Sequence, residues 1–61
     1  MSYKEMKKIA SRGGFTFRKS NIHPYEYMLV NNRTHTKYHY ADLDEARPDI
    51  EEIIEGGTPF A

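Results

Sequence analysis

The chain contains no cysteine and no tryptophan. Without cysteine there is no disulfide framework and no thiolate metal site to compensate for small size, and a reducing compartment fits. No apolar run approaches the roughly 20 residues of a membrane span. The opening Met1-Ser2-Tyr3-Lys4-Glu5 does not read as a signal peptide. A soluble, cytoplasmic protein with no membrane partner is expected. In that setting the glycosylation pattern Asn32-Arg33-Thr34 carries no weight. The sequence also lacks a nucleophile elbow and a phosphate loop, so a binding protein without catalytic residues or cofactor is expected, not an enzyme. With no tryptophan and three phenylalanines, much of the core must come from the five tyrosines and the aliphatic residues.

Net charge is absent as well, but only in sum. Residues 1–40 carry eight basic side chains against Glu5 and Glu26, a net of +6. Residues 41–61 carry seven acidic side chains against Arg47, a net of −6. Such a division implies either attraction between elements or two surfaces that prefer different partners. A chain of 61 residues makes one domain, and buries only about 60% of the surface its unfolded form exposes.

What is present reads as helix, three strands, helix. Ser2-Tyr3-Lys4-Glu5 has capping-box form, and Tyr3, Met6, Ile9 and Ala10 share one helical face before the stop at Gly13-Gly14. This predicts a helix over Tyr3 to Arg12. Phe15-Thr16-Phe17-Arg18 alternates as a half-buried strand does, and Tyr25 to Val30 and Thr34 to Tyr40 follow as a hairpin, with Asn31-Asn32 able to take positive φ. An even-numbered loop places Tyr25, Tyr27 and Leu29 on one face with Thr36, Tyr38 and Tyr40, and so gathers the large apolar surfaces. Asp42 caps a second helix whose stripe is Leu43, Ala46, Ile50, Ile53 and Ile54; Pro48 is expected to kink or divide it. Gly56-Gly57 ends it, within a single domain over 1–57, and 58–61 form a tail.

The fold class is therefore α+β, a three-stranded antiparallel meander with both helices packed on one face. The expected core is Met6, Ile9, Phe15, Phe17, Tyr25, Tyr27, Leu29, Tyr38, Tyr40, Leu43, Ile50, Ile53 and Ile54.

Three constellations invite chemistry. The histidines do not make a metal site: four residues along a strand put His35 and His39 about 13 Å apart, too far to share an ion bound at about 2 Å from each. The sheet tyrosines, beside Arg18, Lys19 and Lys37, have the composition of a platform on which bases stack between phosphate-binding cations. Read plainly, they are the core. Asp44, Asp49, Glu51, Glu52 and Glu55 form either the solvated face of the second helix or an acidic strip that engages a protein. Carboxylates near the helix start are favoured by its dipole in either case.

The order helix–strand–strand–strand–helix resembles that of double-stranded-RNA-binding domains and of HicA-type RNA-cleaving toxins. Met6-Lys7-Lys8-Ile9 followed by Arg12-Gly13-Gly14-Phe15 is similar to the HicA opening helix and its glycine–aromatic entry to the first strand. That family's active-site histidine precedes the second strand, usually after Gly-Ser; His23 has that place here, preceded by Asn21-Ile22 and followed by Pro24. RNA-binding members begin their second helix with basic residues, where this chain has Asp42-Leu43-Asp44-Glu45. The first expectation is thus a small regulator or inhibitor, of the kind phages and mobile elements encode, that occludes a protein partner through Asp44, Asp49, Glu51, Glu52 and Glu55. The alternative is a nucleic-acid-binding module using the first helix and the open sheet face, through Lys7, Lys8, Arg18, Lys19, Arg33 and Lys37, with a HicA-like toxin third.

Overall fold

The computed structural model describes residues 1–56; Gly57 of the expected glycine stop and the tail 58–61 lie outside them. Ser2 opens helix α1 (Tyr3–Arg12) as a true capping box. Its hydroxyl accepts the Glu5 N–H at 3.2 Å, and Glu5 Oε1 accepts the Ser2 N–H at 2.9 Å. The Ser2 backbone N–H, and then its hydroxyl, hold the Glu5 carboxyl below the usual carboxylate range. The two glycines at the other end do different work. Gly14 has φ +85° with open space around it, so it is the left-handed residue. Gly13 has φ −90° but lies so close to Ile53 that an added Cβ would overlap the Ile53 Cγ2.

Strands β1 (Phe15–Lys19), β2 (Tyr27–Asn31) and β3 (Lys37–Tyr40) form one antiparallel sheet in the order β1-β2-β3. Phe17 stands opposite Leu29, Leu29 opposite Tyr38, and Tyr27 opposite Tyr40. The Asn31 N–H donates to the Thr36 carbonyl at 2.9 Å, leaving four residues in the turn and giving the register an even loop requires. The turn itself differs from expectation: His35 takes the positive φ, 64°, and neither asparagine does. Asn31 instead accepts the N–H groups of Arg33 and Thr34 on its side-chain oxygen, at 2.9 and 3.2 Å. Its carbonyl accepts the His35 N–H at 2.7 Å. This asparagine-held turn leaves the left-handed step to its last residue.

Both hairpin strands start later than their alternation suggests. Thr34 and His35 belong to the turn, and 22–25 form a turn closed by the Tyr25 N–H on the Ile22 carbonyl at 2.9 Å.

Helix α2 (Leu43–Ile54) begins with Asp42 Oδ1 accepting the Glu45 N–H at 2.9 Å. It runs on through Pro48, contrary to the expected interruption. The ring removes one bond to the carbonyl of Asp44, and both residues face solvent, where water can take that carbonyl.

Both helices cover one face of the sheet. Met6, Ala10, Phe15, Phe17, Leu29, Tyr40, Ala46, Ile50 and Ile53 make the core, with Tyr3, Ile9, Tyr27, Tyr38 and Leu43 packed against it. Phe17 stacks on Tyr27 at 5.7 Å between centroids, and Tyr3 closes on both rings. Two residues expected in this core are outside it. Tyr25 is 40% exposed because the chain at 25 is still in the turn, and Ile54 is 58% exposed because it lies about 100° round the helix from the buried Ile53. No helix among the described residues is long and apolar enough to cross a membrane.

Candidate functional site

Two surfaces remain once the core is closed, and they look away from each other: the outer side of α2 and the sheet face that no helix covers. On α2, the five acidic residues are not one strip. Asp49 is half-buried on the flank toward β3, where its Oδ2 accepts the Tyr40 hydroxyl at 2.6 Å. Burial first, and then that carboxylate, push the Tyr40 hydroxyl far above the usual tyrosine range. Asp49 is thus tied to the core. Asp44 stands in the first turn of α2, away from the others, beside Met1, Glu26 and Leu43. Glu51, Glu52 and Glu55 gather with Pro48 and Ile54 around an open depression of about 530 Å³. Ile54 is therefore an exposed apolar side chain between the carboxylates on one side and Ile9, Arg12 and Ile53 on the other. Periodicity alone placed it inside; the signal that it lies at the stripe's edge was its position immediately after Ile53, in the last turn.

The six candidate cations also divide. Lys7 and Lys19 lie over the Tyr3 ring, 5.2 and 5.5 Å from its centroid, and Lys19 lies 4.7 Å from that of Tyr27. These contacts anchor the ammonium groups on the helix side. Lys8 is exposed on α1, and Arg33 is exposed at the hairpin tip. Only Arg18 and Lys37 share the uncovered sheet face.

That face has an unexpected centre. Met28 points away from both helices yet is 2% exposed. Arg18, its cross-strand neighbour, lies over it, with Nε–H directed at the Met28 Sδ at 3.5 Å. On the other side of Met28 stands His39. The His39 Nδ1 is 3.1 Å from the Ser20 hydroxyl, and its ring meets the Tyr25 ring at 5.6 Å. The sequence offered four sheet tyrosines as a stacking platform; three of them, Tyr27, Tyr38 and Tyr40, pack on the helix side, and Tyr25 alone is left for the other.

His23 is exposed in the loop before β2, and His35 is exposed in the hairpin turn. Among the described residues no group of three or more histidines and carboxylates could hold a metal ion.

No protein-family model matches the chain, no curated protein matches it, and no solved structure matches it. The helix–strand–strand–strand–helix order is present, and the sequence departures at His23 and at the start of α2 stand beside it.

Proposed function

We propose that this protein is a small non-enzymatic binding module that occludes a surface of a protein partner through the outer side of the last two turns of α2. The observation that carries this reading is Ile54, 58% exposed, with Glu51, Glu52 and Glu55 around the depression on one side of it and Ile9, Arg12 and Ile53 on the other. An apolar anchor beside a charged rim is the arrangement in which a few central side chains supply most of the binding energy. The rim then sets orientation and partner choice. The complementary surface is an apolar socket bordered by lysine or arginine. Regulation or inhibition by occlusion needs no catalytic group and no cofactor.

The test is capture of a partner from a lysate of the source organism, followed by binding of the purified pair. Ile54→Asp and the double variant Glu51→Lys/Glu55→Lys should each abolish binding with the thermal midpoint little changed, because exposed charges contribute little to stability. Full binding by both folded variants would refute the assignment to α2.

A further inference from the structure

The uncovered sheet face supports a second binding activity, independent of α2. Its side chains stand in two cross-strand rows: Arg18, Met28 and His39 in one, Thr16, Val30 and Lys37 in the next. Each row spans roughly 10 Å, two strand spacings, and the rows lie roughly 7 Å apart, two residues along the strands. Arg18 and Lys37 therefore stand diagonally across the face, and neither row contains a carboxylate.

The guanidinium of Arg18 is oriented over Met28 by its Nε–H, which is directed at the Met28 sulfur at 3.5 Å. Among the described residues its two terminal nitrogens meet no acceptor. A planar cation fixed over a sheet with its outer donors unused is suited to a phosphate or to the face of a base. Across Met28 from it, the Tyr25 ring is 40% exposed and braced against His39, whose own ring is held by Ser20. A ring so braced can accept a stacked base with little further ordering.

Where the face turns round the edge of β3, Glu45 and Asp49 line the same groove as Tyr25, Lys37 and His39. These carboxylates border Lys37 and Tyr25 on the outer side of β3, so a polyanion is accommodated only on the side of the two that looks toward β1.

We infer that the uncovered face of the sheet binds single-stranded nucleic acid, with Arg18 and Lys37 on phosphates and Tyr25 stacked on a base. A protein partner on this face is an outcome of the test. A duplex keeps its bases stacked on each other and cannot use Tyr25.

The probe is a fluorescein-labelled oligouridylate of about 12 nucleotides, within the range that small sheet-based modules occupy, read by anisotropy across a salt series with the full chain. A blunt duplex of the same length and dextran sulfate serve as comparisons. Binding to the single strand should weaken steeply with salt. Arg18→Gln and Lys37→Gln should each lower the slope by about 0.7 per lost phosphate contact. Tyr25→Ala should weaken the single strand by roughly 5- to 150-fold, the value of one stacked base, and leave dextran sulfate unchanged. Arg18→Lys, which keeps the charge, should retain most of the salt slope, and circular dichroism of each variant separates lost binding from lost fold. No binding at low salt would overturn the inference. So would equal affinity for duplex and dextran sulfate, or loss only on Lys7→Gln/Lys8→Gln, which would move the contact to α1. Capture of a protein through Arg18 and Lys37 without any nucleic acid would overturn it too.

Discussion

Met28 and Ile54 are each on the wrong side of a simple inside–outside rule, and the comparison explains how this small fold makes two surfaces. Met28 lies on the face of the sheet that no helix covers, yet it is 2% exposed; Ile54 continues the apolar stripe of α2, yet it is 58% exposed. The difference lies in the neighbours. Arginine has a long apolar stem that can lie along a sheet with its charge still in water, and Met28 lies between Arg18, whose Nε–H is directed at its sulfur, and His39. Glutamates 51, 52 and 55 on a convex helix border Ile54 without covering it. One surface thus presents a cation over a hidden apolar floor, and the other presents an apolar knob with anions along one side.

The largest expected effect sharpens the contrast between the two adjacent isoleucines. Ile53→Ala should cost about 2–4 kcal/mol, the usual loss for a truncated buried aliphatic. Ile54→Ala should stay within about 0.5 kcal/mol, as exposed substitutions do. Chemical denaturation of both variants checks this, and equal losses would mean that Ile54 is packed and not offered to a partner.

Next in size is the contact that turns Ile53 inward. Gly13→Ala should cost about 1–3 kcal/mol, because the new methyl overlaps Ile53 and the core must be overpacked. Gly14→Ala should cost about 1–2 kcal/mol for a different reason, the left-handed backbone at φ +85°. A second substitution tells the two apart: in an Ile53→Ala background, which lacks the overlapped Cγ2, Gly13→Ala should lose most of its penalty while Gly14→Ala keeps its own.

Smaller again is the bond that withdraws Asp49 from the acidic surface. Tyr40→Phe should cost about 1–2 kcal/mol by leaving a part-buried carboxylate without its donor. The alkaline limb follows from the raised Tyr40 hydroxyl. Tyrosine in the unfolded chain ionises near pH 10, about its usual value, while the folded hydroxyl stays protonated. The Tyr40 contribution is therefore complete below that pH and is lost as pH rises above it. Stability followed from neutral to alkaline pH should fall less steeply for Tyr40→Phe than for the wild type.

Much of this molecule is readable from residue order. The Ser2–Glu5 box and the glycine stop bound α1, and the even loop set which tyrosines share a face. What periodicity could not reach is where a neighbouring element ends. Ile54 continues a regular stripe, and only the packed structure shows that it is left 58% exposed in the last turn. Tyr25 continues a regular alternation, but a turn closed on Ile22 holds it out of the strand. Asp49 looked like one of five equal carboxylates, until packing brought the Tyr40 hydroxyl to it. The Arg18–Met28 pair needed the β1–β2 register, which depends on a loop whose turn is not a standard hairpin signal.

The smallest stability effect belongs to the sheet face. Arg18→Ala should cost about 0.5 kcal/mol or less by uncovering Met28, in keeping with other surface substitutions. Its larger consequence should be for binding, and this leads to the most direct measurement. Partner capture and oligouridylate binding are to be measured side by side for wild type, Ile54→Asp and Arg18→Gln/Lys37→Gln, each checked for an intact thermal transition. Ile54→Asp should lose the protein partner and keep the oligonucleotide, and Arg18→Gln/Lys37→Gln should do the reverse. Retention of the protein partner by folded Ile54→Asp would contradict the central claim that α2 presents the protein-binding surface.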